Sequence, residues 1–384
     1  MPKIKVAFFA EILIEDFDGA SRTMFQLIRR IPTDQFEFLF IAGMGPKDIF
    51  GFECVLLPNV TIPINRTYKM AVPQLAKRRL RTKLAAFKPD IVHIATPSML
   101  GEYALKYGNE QHLPIISIYH THFISYIDYY LRKLPFLIKP VKKQIEKGQK
   151  RFYNQVDLIY VPAESIAADM QTIGIEGARM KIWKRGMDTE LFSPAKRDAA
   201  LMERITGNQL PTVIFASRFV WEKNLETLIR IYQLAQNKRL ACNFLMVGDG
   251  VARADCEATM PGAIFYGNVD HQQLSVLYAS SDLFLFPSIS ESYGNVVLEA
   301  MASGLPCVLA DGGGSRDFVE QGVTGFKCPP DDAAVYVEKI QLLLNDASLR
   351  QQFSESGRQY SLGFDWQQLA DTYFADLKRL VART

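Results

Sequence analysis

The 384-residue sequence predicts an α/β protein made of two successive doubly wound, Rossmann-like domains, and three observations carry that reading. The length exceeds what one hydrophobic core usually supports. Short strand-like apolar runs alternate with amphipathic stretches, the βαβ order that gives parallel strands with helices on both faces. The alternation halts in a stretch punctuated by Gly186, Pro194, Gly207 and Pro211, and then starts again.

In chain order, residues 5–10 read as the first strand and 21–31 as a helix. Residues 36–41 follow as a strand, 74–87 as a basic helix, and 91–94 and 115–119 as strands. The second series opens with a strand at 212–216 and a helix at 225–236, then strands at 243–247, 263–266, 283–287 and 307–310. A last helix is expected at 366–380. The boundary falls within 185–210, giving a first domain of residues 1–190 and a second of 191–364. In open sheets of this kind ligands bind beyond the carboxyl ends of the strands.

Composition excludes several classes. With 48% hydrophobic and 22% charged residues the chain is ordinary globular material. Lys3 and Lys5 precede only five apolar residues before Glu11, too few for a signal peptide, and no run approaches the ~18 apolar residues of a membrane span. The expected location is cytoplasmic. The five cysteines, at 54, 242, 256, 307 and 328, are odd in number and show no C-x-x-C spacing. They are expected to be buried thiols rather than a disulfide framework or a zinc site.

The richest segment runs FPSISESYGNVVLEAMASGLPCV, from Phe286 to Val308. An apolar strand ends at Pro287, and Tyr293-Gly294-Asn295 is turn chemistry leading into an apolar-periodic helix from Val296. A helix start offers free N–H groups and a positive dipole end, so the loop through Tyr293, Gly294, Asn295 and Val296 suits phosphate or sugar oxygens. Glu291 precedes that start and Glu299 lies about a turn inside it. Carboxylates only accept hydrogen bonds, so a pair flanking one pocket suits a ligand rich in hydroxyl donors, such as a sugar and a ribose. The plain alternative is a helix-start charge at Glu291 and a solvated Glu299.

The E-x7-E spacing within SISESYGNVVLEAMASGLPCV resembles the signature of retaining glycosyltransferases of family 4. Four more segments agree with that family in order: FDGASRT (17–23), YHTHF (119–123), WKRGMDTELFSP (183–194) and SRFVWEKN (217–224). The resemblance implies the GT-B fold, two doubly wound domains facing across a cleft, with the last helix (365–384) packing back on the first, acceptor-binding domain. The second domain would bind the nucleotide sugar.

By resemblance Arg218 and Lys223 bind the donor diphosphate, where Arg can fork onto two oxygens and Lys acts as a point charge. Gly19 resembles the small residue that lets the diphosphate approach the backbone, although Ala20 replaces the usual second glycine. His120 would face the donor sugar; His122 stands where relatives tend to carry an acid, and its role stays open. Glu291 would hold hydroxyls of the sugar and Glu299 the ribose. Gly248 and Asn268, in loops after strands, would border the base, as would Asn224. Asp188 resembles a motif position but also suits an Asx turn.

A double displacement needs a carboxylate nucleophile beneath the anomeric carbon, and the sequence shows none. The resemblance implies a same-face substitution with Arg218, Lys223 and the helix start after Gly294 stabilising the leaving charge. Neither a metal nor another cofactor is expected, because the basic pair Arg218 and Lys223 stands in the metal's place.

Charge is uneven. Residues 1–190 hold 27 Lys and Arg against 19 Asp and Glu, whereas 191–384 hold 17 against 22. Eight basic residues lie between Arg66 and Lys88 with no acid, and eight more between Arg132 and Arg151 with only Glu146. Basic amphipathic segments favour anionic membrane surfaces; a solvated face is the alternative, and no nucleic-acid-reading motif is present. Within the family the motifs look closest to GDP-mannose-dependent mannosyltransferases and sulfoquinovosyldiacylglycerol synthases. The expected function is retaining, metal-independent transfer of a hexose from a UDP- or GDP-linked donor to a lipid or lipid-linked glycan. A soluble acceptor, a non-catalytic sugar-nucleotide binder and an epimerase of the same fold are the rivals.

Overall fold

The computed structural model describes residues 2–383 apart from 16, 18, 63, 64, 120–134 and 292. His120 and His122 therefore lie outside the described residues. The chain divides into two compact units, the first holding the described residues up to Arg185 together with Trp366–Thr384, the second Gly186–Asp365.

The first unit is built on β1 (Ile4–Ile12), α1 (Gly19–Ile28), β2 (Phe36–Met44), β3 (Asp48–Ile49), β4 (Phe52–Leu56) and a hairpin of β5 (Asn59–Ile62) and β6 (Asn65–Ala71). After these come α2 (Lys77–Phe87), β7 (Ile91–Ile94), α3 (Met99–Glu110), β8 (Ile115–Ile118), α4 (Ile138–Tyr153), β9 (Leu158–Val161), α5 (Glu164–Thr172) and β10 (Met180–Ile182). The sheet order is β10-β9-β8-β7-β1-β2-β4-β3, parallel except where β3 meets β4. β1 is buried on both faces: Val6, Phe8 and Ala10 point into one core, Ala7 and Phe9 into another. That two-sided burial explains why it reads as a continuous apolar run.

The second unit comprises α6 (Ala199–Thr206), β11 (Thr212–Ala216), α7 (Leu225–Asn237), β12 (Asn243–Val247), α8 (Arg253–Thr259), β13 (Ile264–Gly267), α9 (His271–Ser280), β14 (Leu283–Phe286), α10 (Asn295–Ala302), β15 (Cys307–Ala310), β16 (Gly325–Cys328), α11 (Ala333–Asn345) and α12 (Ala347–Ser361). Its order β13-β12-β11-β14-β15-β16 is all parallel. In each unit the order reverses beside the first strand, between β1 and β7 and between β11 and β14.

The last helix, α13 (Trp366–Val381), belongs to the first unit. Its Ala370, Tyr373, Phe374, Leu377 and Leu380 are buried in the core that Val6 and Phe8 line. Polar contacts fix its position on the sheet: the Tyr373 hydroxyl lies 2.8 Å from His93 Nδ1 on β7, and the Trp183 indole donates to the Leu369 carbonyl at 3.1 Å. Asp376 accepts from the Tyr160 hydroxyl and from Lys181 Nζ, both at 2.5 Å.

All five cysteines are free. Burial pushes the thiols of Cys54 and Cys328 up to about 12 and those of Cys242 and Cys256 up to about 11, which leaves little thiolate at neutral pH.

Candidate functional site

The second unit gathers its charged side chains at the reversal point of its sheet. The loop after β11 carries Arg218 and Lys223, and the loop after β14 carries Glu291. Lys223 is buried at 4% exposure because a short helical turn, Trp221–Lys223, folds its side chain toward the β14 loop. There its ammonium bonds the Glu291 carboxylate and, at 3.3 Å, the Ser290 hydroxyl. The buried Ser288 hydroxyl lies 3.3 Å from that of Ser290. The ion pair offsets the desolvation of both charges. Arg218 differs: it is exposed and has no ion-pair partner among the described residues. The sequence reading treated Lys223 and Glu291 as contacts to different parts of a donor, whereas here each is the other's partner.

Asn224 holds the site's frame rather than facing a ligand. It adopts a left-handed conformation at the start of α7, and its amide donates to the Pro287 and Pro330 carbonyls at 3.1 and 2.9 Å, joining three loops. Gly294 caps α10 with φ +92°, and a Cβ there would stand 2.6 Å from Ser315 Cβ, so only glycine fits. Beyond it Asn295 and Val296 are half-buried and leave the first N–H groups of α10 for an anion. The Tyr293 ring is not a pocket wall: it is buried, edge-on to Phe318 at 4.7 Å, so this residue offers a ligand its backbone only. The Gly314 N–H donates to the Glu291 carbonyl at 2.7 Å, which ties the loop after β15 to the same corner.

Glu299 lies a turn inside α10, not solvated but 6% exposed, with His271 Nε2 of α9 at 4.0 Å from its Oε1. Gly248, after β12, has φ +127°, a Cβ there would fall 2.0 Å from the Ser217 carbonyl, and its N–H donates to the Gly267 carbonyl. Gly248 therefore packs three strand ends together. Asn268 is exposed one residue beyond β13. Asp188 has a structural role: like a helix cap, its carboxylate accepts the Leu191 N–H and its carbonyl the Phe192 N–H, both at 2.9 Å, in a link whose carbonyls at 189 and 192 are held by Arg358. Among the described residues no group of three or more His, Cys, Asp and Glu side chains is arranged to hold a metal ion.

Sequence reasoning missed Ser288, Ser290 and His271. The alternating serines of PSISES are a visible signal for the first two. His271 reads only as the residue after a helix cap.

In the first unit Gly19 is the first residue of α1, and its carbonyl accepts from Thr23 Oγ1 at 2.9 Å. At the end of β1 the Glu11 carboxylate accepts the Ala71 N–H at 2.7 Å, and burial pushes its pKa up. The basic face on α2 is real but partly neutralised, since Arg81 pairs with Glu110 at 3.1 Å and Lys83 with Glu53 at 2.7 Å. Lys77, Arg78, Arg79 and Lys88 stay exposed without such partners among the described residues. Leu75, 72% exposed, lies on the same surface patch as Arg78 and Arg79. No helix among the described residues is long and apolar enough to cross a membrane.

Two Rossmann-like sheets in one chain, the second with a glycine-opened helix, make the GT-B fold. The structure of Anabaena Alr3699/HepE in complex with UDP and glucose shares that fold, with a TM-score of 0.73 at 19% identity over 98% of this chain and 99% of that one. The family model of glycosyltransferase family 4 matches residues 17–191, and that of glycosyl transferases group 1 matches 203–360. The chain belongs to these glycosyltransferases, which transfer a sugar from a nucleotide sugar. Among relatives, sulfoquinovosyl transferase SQD2 of Arabidopsis thaliana is 32% identical over 84% of this chain, which spans 62% of that protein's length. A GDP-mannose-dependent alpha-mannosyltransferase of Mycobacterium tuberculosis (strain CDC 1551 / Oshkosh) is 27% identical over 96% of this chain and 94% of its own.

Proposed function

We propose that this chain is a retaining, metal-independent hexosyltransferase that moves a hexose from a GDP- or UDP-linked donor to a hydroxyl of a lipid or lipid-linked glycan. The observation that carries the reading is the pair of buried Lys223 and half-buried Glu291 beside the open start of α10, with Arg218 exposed on the same loop as Lys223. Arg218 and Lys223 would neutralise the diphosphate, and the α10 N–H groups would take further oxygens. When the diphosphate draws on Lys223, Glu291 is released to accept bonds from sugar hydroxyls. Glu299 would accept from the ribose, and the loops at Gly248 and Asn268 would border the base.

In the step itself the bond from the anomeric carbon to the diphosphate breaks as the acceptor oxygen bonds to the same face. The acceptor proton passes to the departing phosphate oxygen. Placing two cations where that negative charge develops is the contribution of this chain. The names of the two relatives, one a GDP-mannose-dependent mannosyltransferase and one a sulfoquinovosyl transferase, support transfer of a sugar from a nucleotide sugar. The exposed basic residues of α2 beside Leu75 support an approach to an anionic membrane surface.

The test is to incubate the protein with GDP- or UDP-hexose, EDTA and a membrane lipid extract, then assign the product's anomeric configuration by NMR. An α-linked glycolipid from an α-donor is expected. An inverted product, or activity only with added divalent metal, would overturn the proposal.

A further inference from the structure

Glu299 is almost buried, and a carboxylate at that depth takes its orientation from its neighbours. The face of α9 turned to it carries His271 and, two turns on, Tyr278. His271 is the first helical residue, after Asp270, whose side chain caps α9 by accepting the Gln273 N–H at 2.8 Å. Tyr278 is fully buried, its hydroxyl finds no hydrogen-bond partner among the described residues, and the Glu299 charge adds to burial in pushing that hydroxyl's pKa up. From the link before α6, the Phe192 ring stands edge-on to His271 at 6.1 Å and tilted to Tyr278 at 6.2 Å. Lys196 of the same link is engaged elsewhere on α9, bonding Gln272 and Ser275 at 3.2 Å each. The imidazole is thus packed on one side by an aromatic ring, with Nε2 4.0 Å from the carboxylate.

That separation is longer than a direct hydrogen bond and is one that a bridging water or a small rotation closes. We propose that His271 is a positioning residue: it holds the Glu299 carboxylate in the orientation that accepts from the ribose hydroxyls, and so sets how well the donor site tells ribose from deoxyribose. This rests on the reading of Glu299 as the ribose acceptor. The same packing with Phe192 would survive a phenylalanine at 271, which gives structure and positioning different signatures.

The experiment is calorimetric titration of the full chain with GDP, UDP and their 2′-deoxy counterparts, for wild type, Glu299→Gln, His271→Phe and His271→Gln. Hydrogen bonds to charged groups predict a wild-type preference for the ribonucleotide of roughly 10-fold or more. Glu299→Gln should erase most of it. His271→Phe should lower it by about 5-fold at unchanged thermal stability, and His271→Gln, which keeps an N–H donor, should restore most of it. If His271→Phe keeps the full preference while Glu299→Gln loses it, the positioning role falls and the Glu299 reading stands. If Glu299→Gln keeps the preference, the Glu299 reading falls and the positioning role with it.

Discussion

The carboxyl edges of the two sheets are furnished differently although their strands are wound alike. In the second unit the loops after β11 and β14 bring a lysine, an arginine and a glutamate to the reversal point, with Asn224 and Gly294 locking the backbone around them. In the first unit the corresponding edge holds Glu11 bonded to the base of the β5–β6 hairpin and the start of α1 at Gly19, while strings of basic residues lie along α2 and α4. One winding thus serves two purposes, and the loops rather than the strands decide which.

The sharpest way to separate the units is to damage one and question the other. Phe374→Ala removes a buried ring of α13 from the first unit's core and should cost about 3–5 kcal/mol in denaturant unfolding. Nucleotide binding at the second unit should survive under native conditions, and its loss would mean that the two are not separable. Arg218→Ala should leave stability within about 0.5 kcal/mol. It should nevertheless lower kcat/KM by about 10²–10³-fold, the cost of removing one stabiliser of developing charge.

A smaller effect is expected from α2. Arg78→Ala with Arg79→Ala should weaken binding to phosphatidylserine vesicles by about 5-fold per side chain, from roughly 1 kcal/mol for each basic residue at an anionic surface. Binding of GDP or UDP should not change, and an unchanged vesicle affinity would sink the membrane reading.

The smallest concerns Glu11. Its native pKa is raised, so the folded chain binds that proton more readily than the unfolded one, and stability falls as pH climbs above the usual glutamate value of about 4.3. Urea unfolding of Glu11→Gln against wild type at pH 4.5 and 7.5 should therefore show the difference moving in the variant's favour at the higher pH. A gap that moves the other way would mean the Ala71 bond dominates.

Much of this was legible in the residues. The strands at 91–94, 212–216, 243–247 and 307–310 lie where the apolar runs place them, because strands buried on both faces are nearly all apolar. The glycine-opened helix was legible too, since turn chemistry ahead of an apolar period is a local signal. The hairpin at β5 and β6 was not, as β5 alternates over four residues only and β6 opens on the polar run Asn-Arg-Thr. Nor was the pairing of Lys223 with Glu291, or of His271 with Glu299. Those depend on which strand lies beside which, and strand neighbours are a property of the closed sheet rather than of any segment.

The position of α13 also has a consequence for synthesis. The helix that covers Val6, Phe8 and their neighbours is translated only after the whole of the second unit. On the ribosome the later unit can close first, while the earlier one waits with an apolar face open for its final helix. A chain cut short before α13 would keep the fold of its second unit and still be a substrate for chaperones and proteases.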